Sequence, residues 1–171
     1  NRIVVWNTQE SRELFANGYF GKPIGIPKPN VNDINVPLIL DLIEGCYLQE
    51  ISKIKITKNG KKVSLDTLIK ICRKEYHNFD KKFQVYKDFR EKGYVINPGI
   101  KFGCDFAVYQ KGPGIDHAPY LVQVYNKNDD ISSTAVVLAG RLASSVKKQF
   151  ILAIPRDKDK IDYLALDWWR A

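Results

Sequence analysis

The chain has 171 residues, 44% of them hydrophobic, and carries 27 Lys and Arg against 19 Asp and Glu for a net charge of +8. No apolar run approaches the ~18 residues of a membrane span, and three widely spaced cysteines, Cys46, Cys72 and Cys104, exclude a disulfide framework or a Cys-based zinc site. The length allows one large or two small domains, and the positive excess favours a polyanion partner without saying which.

Residues 2–6 read as a short strand and residues 11–17 as a short helix closed by Gly18. Two Gly and three Pro mark residues 21–29 as a loop. A helix is expected from Pro37, with Leu38, Leu40, Leu42, Ile43, Cys46 and Leu48 forming a broad apolar face. Asn59-Gly60 is a hairpin turn between residues 54–57 and 62–64, and Ser64 caps a helix to Tyr76. Asp80 is expected to cap the next helix, which repeats Phe83, Tyr86, Phe89 and Arg90 and ends at Gly93. Short strands follow at 94–97, 100–102 and 105–110, then a loop over 111–119 and a clean strand over 120–125. After a polar loop at 126–130, Ser132 or Ser133 caps a helix expected to reach Lys148. Strands at 149–154 and 161–168 complete the chain. The class is α/β (α+β), with two small domains at 1–79 and 80–171. No signal peptide is visible, the missing initiator Met indicates trimmed or omitted first residues, and the reading is of a soluble, cytoplasmic protein.

Two histidines narrow the chemistry. His77 stands at a helix end, where imidazole ordinarily meets the last carbonyls, whereas His117 lies in a Gly- and Pro-bearing loop between strands. On the helix expected over 133–148, Arg141 and Lys148 are two turns apart and share a face, among the small residues Ala139, Gly140, Ala143, Ser144 and Ser145. Lys147 points roughly 100° away. A metal-dependent nuclease needs converging carboxylates beside a lysine. Asp105 is available, but Gln123-Val124-Tyr125 occupies the strand where the others would stand. No Gly-x-Ser-x-Gly elbow supports a serine nucleophile.

The block Arg90-Glu91-Lys92-Gly93-Tyr94, followed by Gly99-Ile100-Lys101-Phe102-Gly103-Cys104-Asp105-Phe106-Ala107-Val108-Tyr109, resembles the signature of tRNA-intron endonucleases. Ser145-Val146-Lys147-Lys148 with the apolar strand after it, and Glu13-Leu14-Phe15-Ala16-Asn17-Gly18-Tyr19-Phe20-Gly21, extend the likeness over nearly the whole chain. The resemblance implies a C-terminal catalytic domain built on a mixed sheet flanked by helices, restriction-endonuclease-like. It also implies a Tyr, His and Lys triad, carried here by Tyr109, His117 and Lys148, with no metal and no cofactor. Arg141 matches the residue that holds a bulged base against a second group, for which Trp168 and Trp169 are the candidates. The implied substrate is precursor tRNA with a bulge-helix-bulge, cut by transesterification. The implied assembly is a homotetramer, or a heterotetramer with a structural subunit. A non-catalytic RNA-binding subunit of the same complex is the alternative.

Overall fold

The computed structural model describes residues 2–27, 29–31, 34–156 and 160–166. They form two compact units of mixed helix and strand, Asn1–Phe83 and Gln84–Ala171.

In the first unit, β1 (Ile3–Val5) and β2 (Lys22–Pro23) flank β3 (Leu38–Leu40) in an antiparallel sheet. Asn7 caps α1 (Thr8–Ala16) by accepting from the amides of Gln9 and Glu10. Where the sequence reading starts a helix at Pro37, the chain instead makes a strand. Leu38 and Leu40 point alternately into the core, fully buried, and pair with strands on both sides. Asp41 then starts α2 (Leu42–Glu50) with a capping box: its carboxylate accepts from Ile43 N, and Glu44 reaches back to Asp41 N. Cap chemistry thus overrides the apolar run. Beyond α2, β4 (Thr57–Lys58) and β5 (Lys61–Lys62) close through Asn59 and Gly60 at positive φ, as a two-residue hairpin turn requires. Ser64 caps α3 (Leu65–Glu75), and the free thiols of Cys46 and Cys72 lie 3.3 Å apart where α2 meets α3. Helix α4 (Phe79–Glu91) starts one residue before the expected cap. The forked guanidinium of Arg73 holds both oxygens of Asp80 at about 3 Å, which leaves that carboxylate with another role.

The second unit is a five-stranded sheet in the order β10-β9-β8-β7-β6, built from β6 (Val95–Pro98), β7 (Phe106–Tyr109), β8 (Tyr120–Val124), β9 (Gln149–Pro155) and β10 (Ile161–Leu166). All pairs are antiparallel except β8 and β9, whose parallel pairing needs a crossover, supplied by α5 (Ser133–Ser145). Residues 100–102 form a 3-10 turn rather than a strand, because Gly99 O accepts from Phe102 N and Gly103 takes positive φ. On one sheet face Phe106 meets Tyr86 of α4. On the other, Ala107, Leu121, Phe150 and Leu152 pack with Ala143 of α5. Among the described residues, no helix is long and apolar enough to cross a membrane.

Helix α4 is fastened to both edge strands. Arg90 donates to Ile96 O of β6 and stacks over Tyr86, while Asp88 accepts from the Tyr163 hydroxyl of β10 at 2.5 Å. Burial first, then the Asp88 acceptor, push the Tyr163 hydroxyl well above its ordinary range. The stabilisation from this bond is therefore present below the ordinary tyrosine pKa and is lost only as pH rises toward the raised value. Because Lys92 also holds Asp88 at 2.6 Å, Asp88 stays partnered in Tyr163→Phe. We expect that variant to lose about 1 kcal/mol in urea denaturation, and to show less alkaline destabilisation than the parent chain.

Candidate active site

Strand direction determines what can meet in the second unit. Since β7 runs antiparallel to β8 and β8 parallel to β9, the last residue of β7 and the first residues of β8 and β9 fall at one end of the sheet. Tyr109 closes β7. The loop over residues 110–119 carries His117 into β8, and Lys148 immediately precedes β9. Gln149 N donates to Pro119 O at 2.9 Å, tying the start of β9 to the end of that loop. Backbone pairing thus gathers three residues that are up to 39 positions apart (148 − 109).

Lys148 is half-buried, and its ammonium donates to the carbonyl of Ala118, the residue after His117, at 2.6 Å. It also stands 5.7 Å from the centre of the Phe102 ring, so apolar and polar contacts both restrain it. The resemblance assigned the lysine to Lys148 rather than Lys147, and a helical face shared with Arg141 agreed with that assignment. The structure retains the contrast between the two lysines but removes the shared face. Helix α5 ends at Ser145, Val146 is its cap and Lys147 takes φ 52°, so Lys148 lies beyond the helix, in the lead-in to β9. Lys147 is exposed. Ala143, one of the small residues around Arg141 and Lys148, is buried against the core. Arg141 is exposed on α5, about 6 Å along the axis from its last residue. Trp168 and Trp169 lie outside the described residues.

Tyr109 is partly buried, packed against the cluster formed by Ala107, Leu121 and Phe150. Opposite Val95 in the β6–β7 register, it lies diagonal to Asn97 on the same sheet face. Burial raises the pKa of its hydroxyl above the ordinary value, with the Asp116 charge adding to the rise, while a hydrogen bond from Asn97 works the other way. Lys148 is bonded to Ala118 O, and Tyr109 is a neutral phenol at ordinary pH.

Two further residues were not singled out from the sequence. Asn97 is one. The other is Asp116, whose carboxylate accepts from the amides of Gln110, Lys111 and Gly112 at 3.1, 2.9 and 2.9 Å. Those amides directly follow Tyr109, and Asp116 directly precedes His117. One carboxylate therefore pins the two ends of the loop together. Burial opposes its ionised form, but the backbone donors outweigh burial and hold the carboxyl below its ordinary range. An acidic residue before His117 in a Gly-Pro-Gly loop was the available signal. Asp105, by contrast, precedes β7 at the opposite end of the sheet, about 13 Å from Tyr109 along the strand. Its carboxylate accepts from Val124 N at 2.9 Å. Among the described residues, no three His, Cys, Asp or Glu side chains group as a metal site would need.

Residues 79–163 match the family described as tRNA intron endonuclease, catalytic C-terminal domain, and residues 1–69 match its N-terminal domain. The chain is similar to proteins named tRNA-splicing endonuclease. With that of Hyperthermus butylicus it is 43% identical over 170 residues, covering 98% of this chain and 93% of the relative. With that of Sulfurisphaera tokodaii it is 44% identical over 98% and 94%. With that of Saccharolobus islandicus it is 39% identical over 98% and 94%.

The Asp116 clamp is open to direct measurement. In Asp116→Ala, the amides of Gln110, Lys111 and Gly112 should exchange with solvent about fivefold faster, the equivalent of about 1 kcal/mol per bond. In the parent chain their protection should persist as pH falls through the ordinary aspartate value of about 3.9 and be lost below it. Amide exchange followed by NMR reads both effects.

Proposed function

This chain belongs to the tRNA intron endonuclease family, and from that membership we propose that it is a catalytic subunit which cuts precursor tRNA at a bulge-helix-bulge by attack of a ribose 2′-hydroxyl on the adjacent phosphate. The observation that carries this reading is the convergence of Tyr109, the His117 loop and Lys148 at one end of the sheet. In the proposed step the 2′-oxygen bonds to phosphorus and the bond to the leaving 5′-oxygen breaks. The products are a 2′,3′-cyclic phosphate and a free 5′-hydroxyl. The nucleophile is already part of the substrate, so positioning supplies much of the acceleration. Tyr109 takes the 2′-hydroxyl proton, and His117 gives one to the 5′-oxygen. Lys148 meets the charge that builds on the phosphoryl oxygens. An ammonium has three donors, so one can stay on Ala118 O while two face the phosphate.

The raised pKa of Tyr109 has a kinetic consequence. A raised pKa makes the phenolate a strong base but leaves it scarce at neutral pH. Asn97, which donates to the hydroxyl, favours that scarce form. Arg141 and one of Trp168 and Trp169 are proposed to hold the bulged base between a guanidinium plane and an indole. Two cuts across one substrate helix call for paired active sites, hence a tetramer of four copies or of two catalytic and two structural chains. The loop over 126–130, where Asp129 accepts from Asn126 N, is proposed as its docking element. No cofactor and no metal take part in the proposed step.

Three outcomes are expected. In excess EDTA the chain should cut bulge-helix-bulge RNA and leave cyclic-phosphate ends, read by end-group analysis. His117→Ala should lower kcat by about 10²–10⁴-fold, the usual contribution of a general acid. The residual rate of that variant should climb about tenfold per pH unit across the neutral range, as the ionised fraction of Tyr109 does below its pKa. Cleavage that requires added magnesium would contradict the reading.

A further inference from the structure

The hairpin of the first unit is a strongly charged surface segment that the catalytic reading leaves unused. Lys53, Lys55, Lys58, Lys61 and Lys62 are all exposed, and residues 51–65 contain no acidic side chain to neutralise them. In the β4–β5 register Lys58 stands directly opposite Lys61. Like charges paired across two strands destabilise a ladder, so the hairpin holds a local repulsion that a bound polyanion would relieve. Its base is firmly attached. Lys53 N and Ile54 N both donate to Leu48 O, Val63 N donates to Ile56 O, and Gln49 Nε2 donates to Val63 O at 2.7 Å. Ile54 packs into the cluster of Phe20, Leu40 and Leu48. Alternation sends Ile54 and Ile56 toward the protein and Lys53 and Lys55 outward. The result is an anchored ribbon with a cationic tip.

We infer that this hairpin is a second RNA-binding element, gripping the phosphate backbone of precursor tRNA outside the cleaved bulges. Lysines act on phosphate as point charges and read no sequence, so the contact adds affinity and orientation, not base choice. The tip Lys58-Asn59-Gly60-Lys61 has no aromatic ring for stacking on a base and no aliphatic side chain to enter a lipid layer. Phosphodiester contact is what these residues can make. The inference rests on tRNA being the substrate but not on the roles given to Tyr109, His117 and Lys148.

The test uses the full chain, with binding measured apart from cleavage. Fluorescence anisotropy in EDTA, on the His117→Ala background, compares Lys58→Gln/Lys61→Gln/Lys62→Gln with the unaltered hairpin over a range of KCl concentrations. The probes are intact precursor tRNA and a minimal bulge-helix-bulge duplex. For precursor tRNA, removing three phosphate contacts should flatten the slope of log affinity against log salt by about 2–3 and weaken binding at least tenfold near physiological salt. The minimal duplex should be less affected. The Lys→Arg triple variant, which keeps the charge, should bind like the parent hairpin. Unchanged affinity and slope in the Gln variant would overturn the inference, as would equal loss in the Arg variant. It would also fail if the hairpin lysines governed binding to phosphatidylglycerol vesicles while tRNA affinity stayed constant. If the lyase reading fails and these binding results hold, the hairpin inference stands alone.

Discussion

The single parallel strand pair of the second unit, β8 against β9, is the constraint on which the site depends. Were β9 to return antiparallel, as every other neighbour does, Lys148 would fall at the far end of the sheet with Asp105. The parallel return requires a crossover of helical length, and α5 provides it. The helix thereby acquires two tasks. Ala143 fills the core on its inner side, and its exposed side carries Arg141. Its C-terminal cap at Val146 and the left-handed turn at Lys147 then deliver Lys148 to the start of β9. Topology accounts for why three residues distant in sequence occupy one end of the sheet.

Fixing the loop is the second requirement, and here a few polar contacts suffice. Asp116 takes three amides at one end of the loop, Lys148 takes the Ala118 carbonyl at the other, and Pro119 O receives Gln149 N. His117 sits between these fastenings with an exposed side chain. This arrangement suits a proton donor that must reach a leaving group on a bulky substrate: its backbone is held and its imidazole is accessible. The same negative charge at Asp116 acts on Tyr109 and raises its pKa, so the clamp costs some ionised base. The hydrogen bond from Asn97 on the neighbouring strand outweighs that charge, and burial is what leaves the net shift upward.

Much of this was legible in the sequence, and the failures have physical causes. The cap at Ser64, a cap at one of Ser132 and Ser133, the Asn59-Gly60 turn and the run from Tyr120 announced themselves, because each depends on one or two residues and local geometry. Leu38–Leu40 did not: their spacing of two is a strand's, but the apolar run continues into the helix at Leu42, and the cap at Asp41 and the strand partners on both sides mark the change. The end of α5 was missed because Val146 and Lys147 carry no Gly or Pro to mark it. The helical face that grouped Lys148 with Arg141 is therefore not formed, and the choice of Lys148 rests on the resemblance alone. Asp116 and Asn97 were overlooked because their roles arise from the β6–β7 pairing and from a loop folding back on itself. Neither has a sequence period.

The central claim is that the substrate's own 2′-hydroxyl is the nucleophile at the sheet end holding Tyr109, His117 and Lys148. The most direct measurement places a single 2′-deoxynucleotide immediately 5′ to one scissile phosphate of a bulge-helix-bulge RNA, leaving the other site intact. The account predicts that cutting at the modified site stops while the unmodified bulge is still cut by the same enzyme. Cleavage at both sites at comparable rates would mean that an external nucleophile does the chemistry, and the roles proposed for Tyr109 and His117 would fall with the claim.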